Sequence, residues 1–69
     1  MAEVFKTNVR KLTQAKQLVG RLQEHFPQGK INFDLKDCDK ILRIDGYSNI
    51  SSDVIDVLNR EGFICEELE

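Results

Sequence analysis

A chain of 69 residues, 41% hydrophobic and 32% charged, allows one small domain spanning 1–69 and excludes fibrous and disordered classes. No stretch approaches the roughly 18 apolar residues of a membrane span, and MAEVFKTNV lacks the apolar region of a signal peptide, so a cytoplasmic protein without membrane insertion is expected. The net charge of −2 gives no general attraction to nucleic acid.

The charge is unevenly spread. Through Lys30, six basic residues (Lys6, Arg10, Lys11, Lys16, Arg21, Lys30) stand against two acidic ones (Glu3, Glu24); from Ile31 onward four basic residues face ten acidic ones. Cys38 and Cys65 are too few to form a disulfide framework and are expected as thiols in a reducing compartment.

In chain order, Phe5, Thr7 and Val9 alternate with Lys6 and Asn8, which predicts a strand over residues 1–9. Leu12, Ala15, Leu18, Val19, Leu22 and Phe26 then recur at spacings of three and four. They predict an amphipathic helix that opens near Leu12 and ends at Pro27 and Gly29. Ile31, Phe33 and Leu35 alternate with polar residues as in a half-buried strand, Asp37-Cys38-Asp39 supplies a turn, and Leu42 and Ile44 continue in a third strand, completing a hairpin.

Ser51 or Ser52 is the expected cap of a second helix whose first turn is read as carrying Asp53 and Asp56 against the positive dipole end, and Val54, Ile55, Val57 and Leu58 supply its apolar face. Gly62 stands where a helix C-terminus favours a left-handed residue, and residues 63–68 read as the last strand.

The order βαββαβ predicts an α+β, ferredoxin-like sandwich. It comprises a four-stranded antiparallel sheet in the order 4-1-3-2 with both helices on one face, and the crossover rule is read as making the central strands 1 and 3 parallel. Phe5, Thr7, Val9, Ile31, Phe33, Leu35, Leu42, Ile44, Phe63 and Cys65 are expected to face the helices. The open face shows no aromatic side chain.

Four features carry a family resemblance: FKTNV closing strand 1, the helix opening straight after it, NFDL in strand 2, and NREGFICEEL at the end. With them the chain resembles the heavy-metal-associated domain of copper chaperones and metal-pumping ATPases. The resemblance implies a Cys-x-x-Cys pair in the loop after strand 1, holding a soft ion. In this chain those two positions are Lys11 and Gln14, an ammonium and an amide. Soft ions need thiolate or imidazole donors, and Arg10, Lys11 and Lys16 add positive charge at an electropositive helix N-terminus. No metal and no cofactor are expected.

Other donors are poorly placed in this reading. The turn holding Cys38 is expected at the sheet edge opposite the loop, roughly 15–20 Å away at ~3.3 Å per strand residue. Cys65 is expected in the core as a small hydrophobe. Asp34, Asp37 and Asp39 lack the longer loop and closing Glu of a calcium site.

The expectation is therefore a non-catalytic, heavy-metal-associated-like domain that has lost its ligands and acts by binding a partner. The basic residues Arg10, Lys11 and Lys16 suit an acidic protein patch or a small anion. Val4, Ile41 and Leu68, expected near one lower edge of the open sheet face, offer a docking or dimer patch, and a monomer or weak homodimer is expected. The alternative is a metal chaperone using Cys65 or Cys38, across a dimer. RNA binding is disfavoured because Phe5, Phe33 and Phe63 point inward rather than onto the open face. The lone His25 has no nucleophile at a recognisable spacing, so no enzymatic activity is expected.

Overall fold

The computed structural model describes residues 2–68. It contains β1 (Ala2–Thr7), α1 (Leu12–His25), β2 (Lys30–Asp34), β3 (Ile41–Asp45), α2 (Ser51–Arg60) and β4 (Cys65–Leu68). The sheet order is β2-β3-β1-β4, a ferredoxin-like α+β arrangement.

All three strand pairs are antiparallel, including the central pair, in which Phe5 stands opposite Leu42 and Val4 opposite Arg43. The parallel β1–β3 pair expected from the crossover rule is thus corrected. A helical crossover returns the chain parallel to the strand before it, which relates β1 to β2 and β3 to β4. The hairpin between β2 and β3 then reverses direction, so β1 and β3 must oppose one another.

One core lies between the sheet and the helices. Phe5, Leu42, Ile44 and Cys65 from the sheet, Ala15, Leu18 and Leu22 from α1, and Val54, Val57 and Leu58 from α2 are buried together. The two helices also touch each other. Burying apolar side chains at about 25 cal/mol per Å² is the main force holding so small a domain together.

Val9 is fully buried although it lies beyond the end of β1, so alternation identified its burial but overextended the strand. Leu12 departs from its expected core position: it is 63% exposed as the first residue of α1, a turn ahead of the first buried helical residue. The expected caps Ser51 and Ser52 are displaced as well. Ile50 is the N-cap of α2, with no side-chain cap bond. Its own side chain is buried, and its carbonyl accepts from the Val54 N–H at 3.0 Å, which starts the helix one residue early. Gly62 does adopt φ +90° after that helix.

The end of the molecule where β1 begins is tightly braced. The Gln23 amide donates to the carbonyls of Phe26, Pro27 and Gly29, and Tyr47 packs edge-on against Phe26 with ring centroids 5.1 Å apart. A Cβ on Gly29 would meet the Tyr47 ring at 3.2 Å, so this turn needs glycine for close approach.

Candidate functional site

The site begins where β1 ends. Thr7 is buried, and its hydroxyl donates to the Lys40 carbonyl at 2.6 Å while accepting from the Val9 N–H at 3.2 Å. The Thr7 N–H donates to the Asp39 carbonyl at 3.0 Å. On the other side, the Asn8 side-chain oxygen accepts from the Ile64 N–H at 2.8 Å. The loop over residues 8–11 is thereby fixed between the β2–β3 turn and the start of β4.

This geometry corrects the expected position of Cys38. The turn over residues 35–40 lies at the same end as the β1–α1 loop, not at the opposite edge, because β2 runs parallel to β1 and both deliver their C-terminal ends there. The Lys6 ammonium lies 3.7 Å from the Asp39 carboxylate across this junction.

Lys11 is the extended N-cap of α1. An ammonium has no lone pair to offer the free N–H groups of the first helical turn, so it does not cap them. Gln14 instead accepts from the Lys11 N–H at 3.3 Å, half of a capping box. Of the two positions the resemblance assigns to metal ligands, one therefore carries a cation and the other secures the helix start. Arg10, Lys11 and Lys16 are all exposed, and the first turn of α1 holds no acidic residue. Their charge adds to the positive end of the helix dipole.

The two cysteines have different surroundings. Cys65 opposes Thr7 in the sheet and is buried, and burial pushes its thiol up to about 12 from an ordinary 9.0. Ligation through it would require forming a thiolate in an apolar site. Cys38 is exposed, and donor atoms of Asp37, Cys38 and Asp39 lie within 4.8 Å of one another. Asp37 already accepts from the Asp39 N–H at 2.8 Å, and Asp39 is shared with Lys6. This is the ordinary chemistry of an acidic turn.

Two exposed apolar side chains that the sequence reading left out belong to this edge. Ile64, 67% exposed, is tied to Asn8, and Leu12, 63% exposed, follows Lys11 directly. They stand at the two ends of the basic loop. Helical periodicity assigns Leu12 to the core, and Ile64, standing between the helix-facing Phe63 and Cys65, falls by alternation on the open sheet face, so neither pattern marks them.

The other predicted docking residues are less concentrated than expected. Val4 and Leu68 are directly opposed, in a row completed by Arg43 and Asn32, whereas Ile41 sits one row nearer the β2–β3 turn. All three apolar residues are half-buried. His25 is exposed at the last position of α1. A shallow groove of about 420 Å³, lined by Gln17, Gly20, Arg21, Glu24 and Glu61, is spanned by the Arg21–Glu61 pair at 3.9 Å. Among the described residues, no helix is long and apolar enough to cross a membrane.

No protein-family model matches the chain, and no curated protein and no solved structure matches it either.

Proposed function

We propose that this chain is a non-catalytic, heavy-metal-associated-like interaction domain, lacking the soft-metal ligand pair, that binds a partner protein through the β1–α1 edge. The observation that carries the reading is the joint exposure of Leu12 and Ile64 at the two ends of the loop bearing Arg10 and Lys11. A single exposed aliphatic side chain is commonplace. Two of them bracketing exposed cations, on a loop fixed by Thr7 and Asn8, make a preorganised contact of mixed character.

The partner surface would be apolar at its centre and acidic at its rim, since rim charge mainly sets association rate and salt dependence while buried apolar contact sets residence time. A small inorganic anion would need the cations but not Ile64. The test is affinity capture from the source cell with wild type, an Arg10→Glu/Lys11→Glu variant and an Ile64→Asp variant. One partner should be retained by wild type at low salt and lost by both variants. Retention by Ile64→Asp but not by the charge variant would leave only anion-type attraction, and equal retention by all three would sink the proposal.

A further inference from the structure

The sheet has two edges, and their sequences differ in a way that bears on self-association. An edge strand presents unpaired N–H and C=O groups that another strand can complete. β4 carries Glu66 and Glu67 at its centre. Two-fold antiparallel pairing of β4 with a second β4 brings only side chains of one sheet face opposite each other, so an axis near the middle of the strand falls at Glu66 or at Glu67 and sets that glutamate against its own copy. Like charges directly opposed destabilise a pair. This edge is protected against its own copy.

β2 is built the other way. It reads Lys30-Ile31-Asn32-Phe33-Asp34, with a cation at one end, an anion at the other and a neutral polar residue in the middle. If β2 pairs antiparallel with a second β2 about a two-fold axis at Asn32, Lys30 falls opposite Asp34 of the other copy, twice. Ile31 falls opposite Phe33, also twice, on the face that carries the helices. Lys30, Asn32 and Asp34 are exposed, and among the described residues neither Lys30 nor Asp34 has an ion-pair partner within the chain.

The helix above this edge continues the pattern. Arg21 reaches Glu61 beside α2, so that flank of α1 faces α2. Val19 lies about 160° away around the helix at 3.6 residues per turn and so faces the β2 side. Gln23 lies on the same flank and bonds to the carbonyls leading into β2, which agrees with this placement. Val19 and Phe33 are both half-buried apolar residues at the rim of the core.

We propose that the chain forms a two-fold symmetric homodimer by antiparallel β2–β2 pairing, giving a continuous eight-stranded sheet with Lys30–Asp34 pairs at both ends of the junction. The occupant of the edge is a second copy because the charge order of β2 is complementary to itself only in the antiparallel sense. The junction is short, so the dimer forms and dissociates with concentration rather than being permanent. The inference is independent of the partner-binding edge, which lies at the end of the sheet rather than along β2.

Sedimentation velocity on the 69-residue chain, from micromolar to millimolar concentration at low salt, tests it. Wild type should move toward twice the monomer mass. Lys30→Asp alone and Asp34→Lys alone should each weaken the dimer roughly tenfold or more, because two attractive pairs become two repulsive ones. Mixing the two variants should restore association, since each then supplies the charge the other needs. Circular dichroism verifies that each variant is folded, and wild-type amide exchange in β2, which should slow as concentration rises, gives a readout that needs no substitution. A wild type that stays monomeric throughout, or a mixture that fails to associate, overturns the proposal. Loss of the dimer in Ile41→Asp with both charge variants inert also overturns it, by moving the contact to the open sheet face.

Discussion

Replacing Thr7 by Val removes one oxygen and leaves shape nearly unchanged, yet it strikes the joint that holds the candidate site. The hydroxyl accepts from the Val9 N–H at 3.2 Å and donates to the Lys40 carbonyl at 2.6 Å. Val9 is fully buried, whereas Lys40 is only half-buried, so water can reach the carbonyl more readily than the amide. An unsatisfied buried donor costs about 1–3 kcal/mol, and loss of the partly screened second bond adds about 0.5 kcal/mol. The good strand propensity of Val returns a few tenths. The net expectation is a loss of about 2 kcal/mol, or a fall in Tm of about 8–16 °C for a domain of this size.

Urea and thermal unfolding followed by circular dichroism measure this loss. Thr7→Ser, which keeps the hydroxyl and drops the methyl, should cost about 1 kcal/mol. Exchange of the Val9 amide should accelerate in Thr7→Val and not in Thr7→Ser. If Thr7→Val unfolds with the wild-type midpoint, or if Thr7→Ser proves the more damaging of the two, the hydroxyl does not hold the loop.

Two glycine substitutions should act with opposite signs. Gly20 lies within α1, where an added Cβ meets nothing within 4 Å, so Gly20→Ala should stabilise by about 0.5–1 kcal/mol, whereas Gly62 at φ +90° should cost about 1–2 kcal/mol as Ala; chemical denaturation compares them directly. Cys65 binds its proton more tightly folded than unfolded, so its contribution to stability is complete below the unfolded thiol's 9.0 and declines as pH rises toward about 12, by about 1.4 kcal/mol per pH unit. Unfolding midpoints at pH 8, 9 and 10 should fall progressively, and the decline should be smaller in Cys65→Ala. In native protein a thiol reagent should modify Cys38 promptly and Cys65 only on unfolding, a difference read by mass spectrometry. Titration with Cu(I) or Zn(II) against a competing chelator should find wild type no tighter than a Cys38→Ser/Cys65→Ser variant, and a clear wild-type advantage would restore the metal-carrier reading.

Most of the fold was legible because its elements keep clean periods. The three-and-four spacing of Ala15, Leu18 and Leu22, and the alternation through Ile31 and Phe33 and through Leu42 and Ile44, are both core signatures that burial bears out. What failed depends on direction and on local competition. The end at which the Cys38 turn falls depends on strand direction, which a helical crossover preserves and the β2–β3 hairpin reverses, and no single residue records it. Ser51 lost the cap to Ile50 because a buried apolar side chain outweighed a hydroxyl at the surface. Of the candidate site, the charged members Arg10, Lys11 and Lys16 were visible as charges. Leu12 and Ile64 were hidden, since each fits a buried or sheet-face pattern and is exposed only because its element ends there.

Tyr47 is the single tyrosine, and the chain contains no tryptophan. Its hydroxyl accepts from the Gln28 N–H at 3.4 Å and its ring rests on Phe26, in the loop that follows β3. Intrinsic emission therefore reports melting of the braced end and is insensitive to a molecule settling against the loop between Asn8 and Lys11. Spectroscopic titration of that loop requires an extrinsic dye, and the exposed thiol of Cys38, standing on the turn bonded to Thr7, offers the natural attachment point.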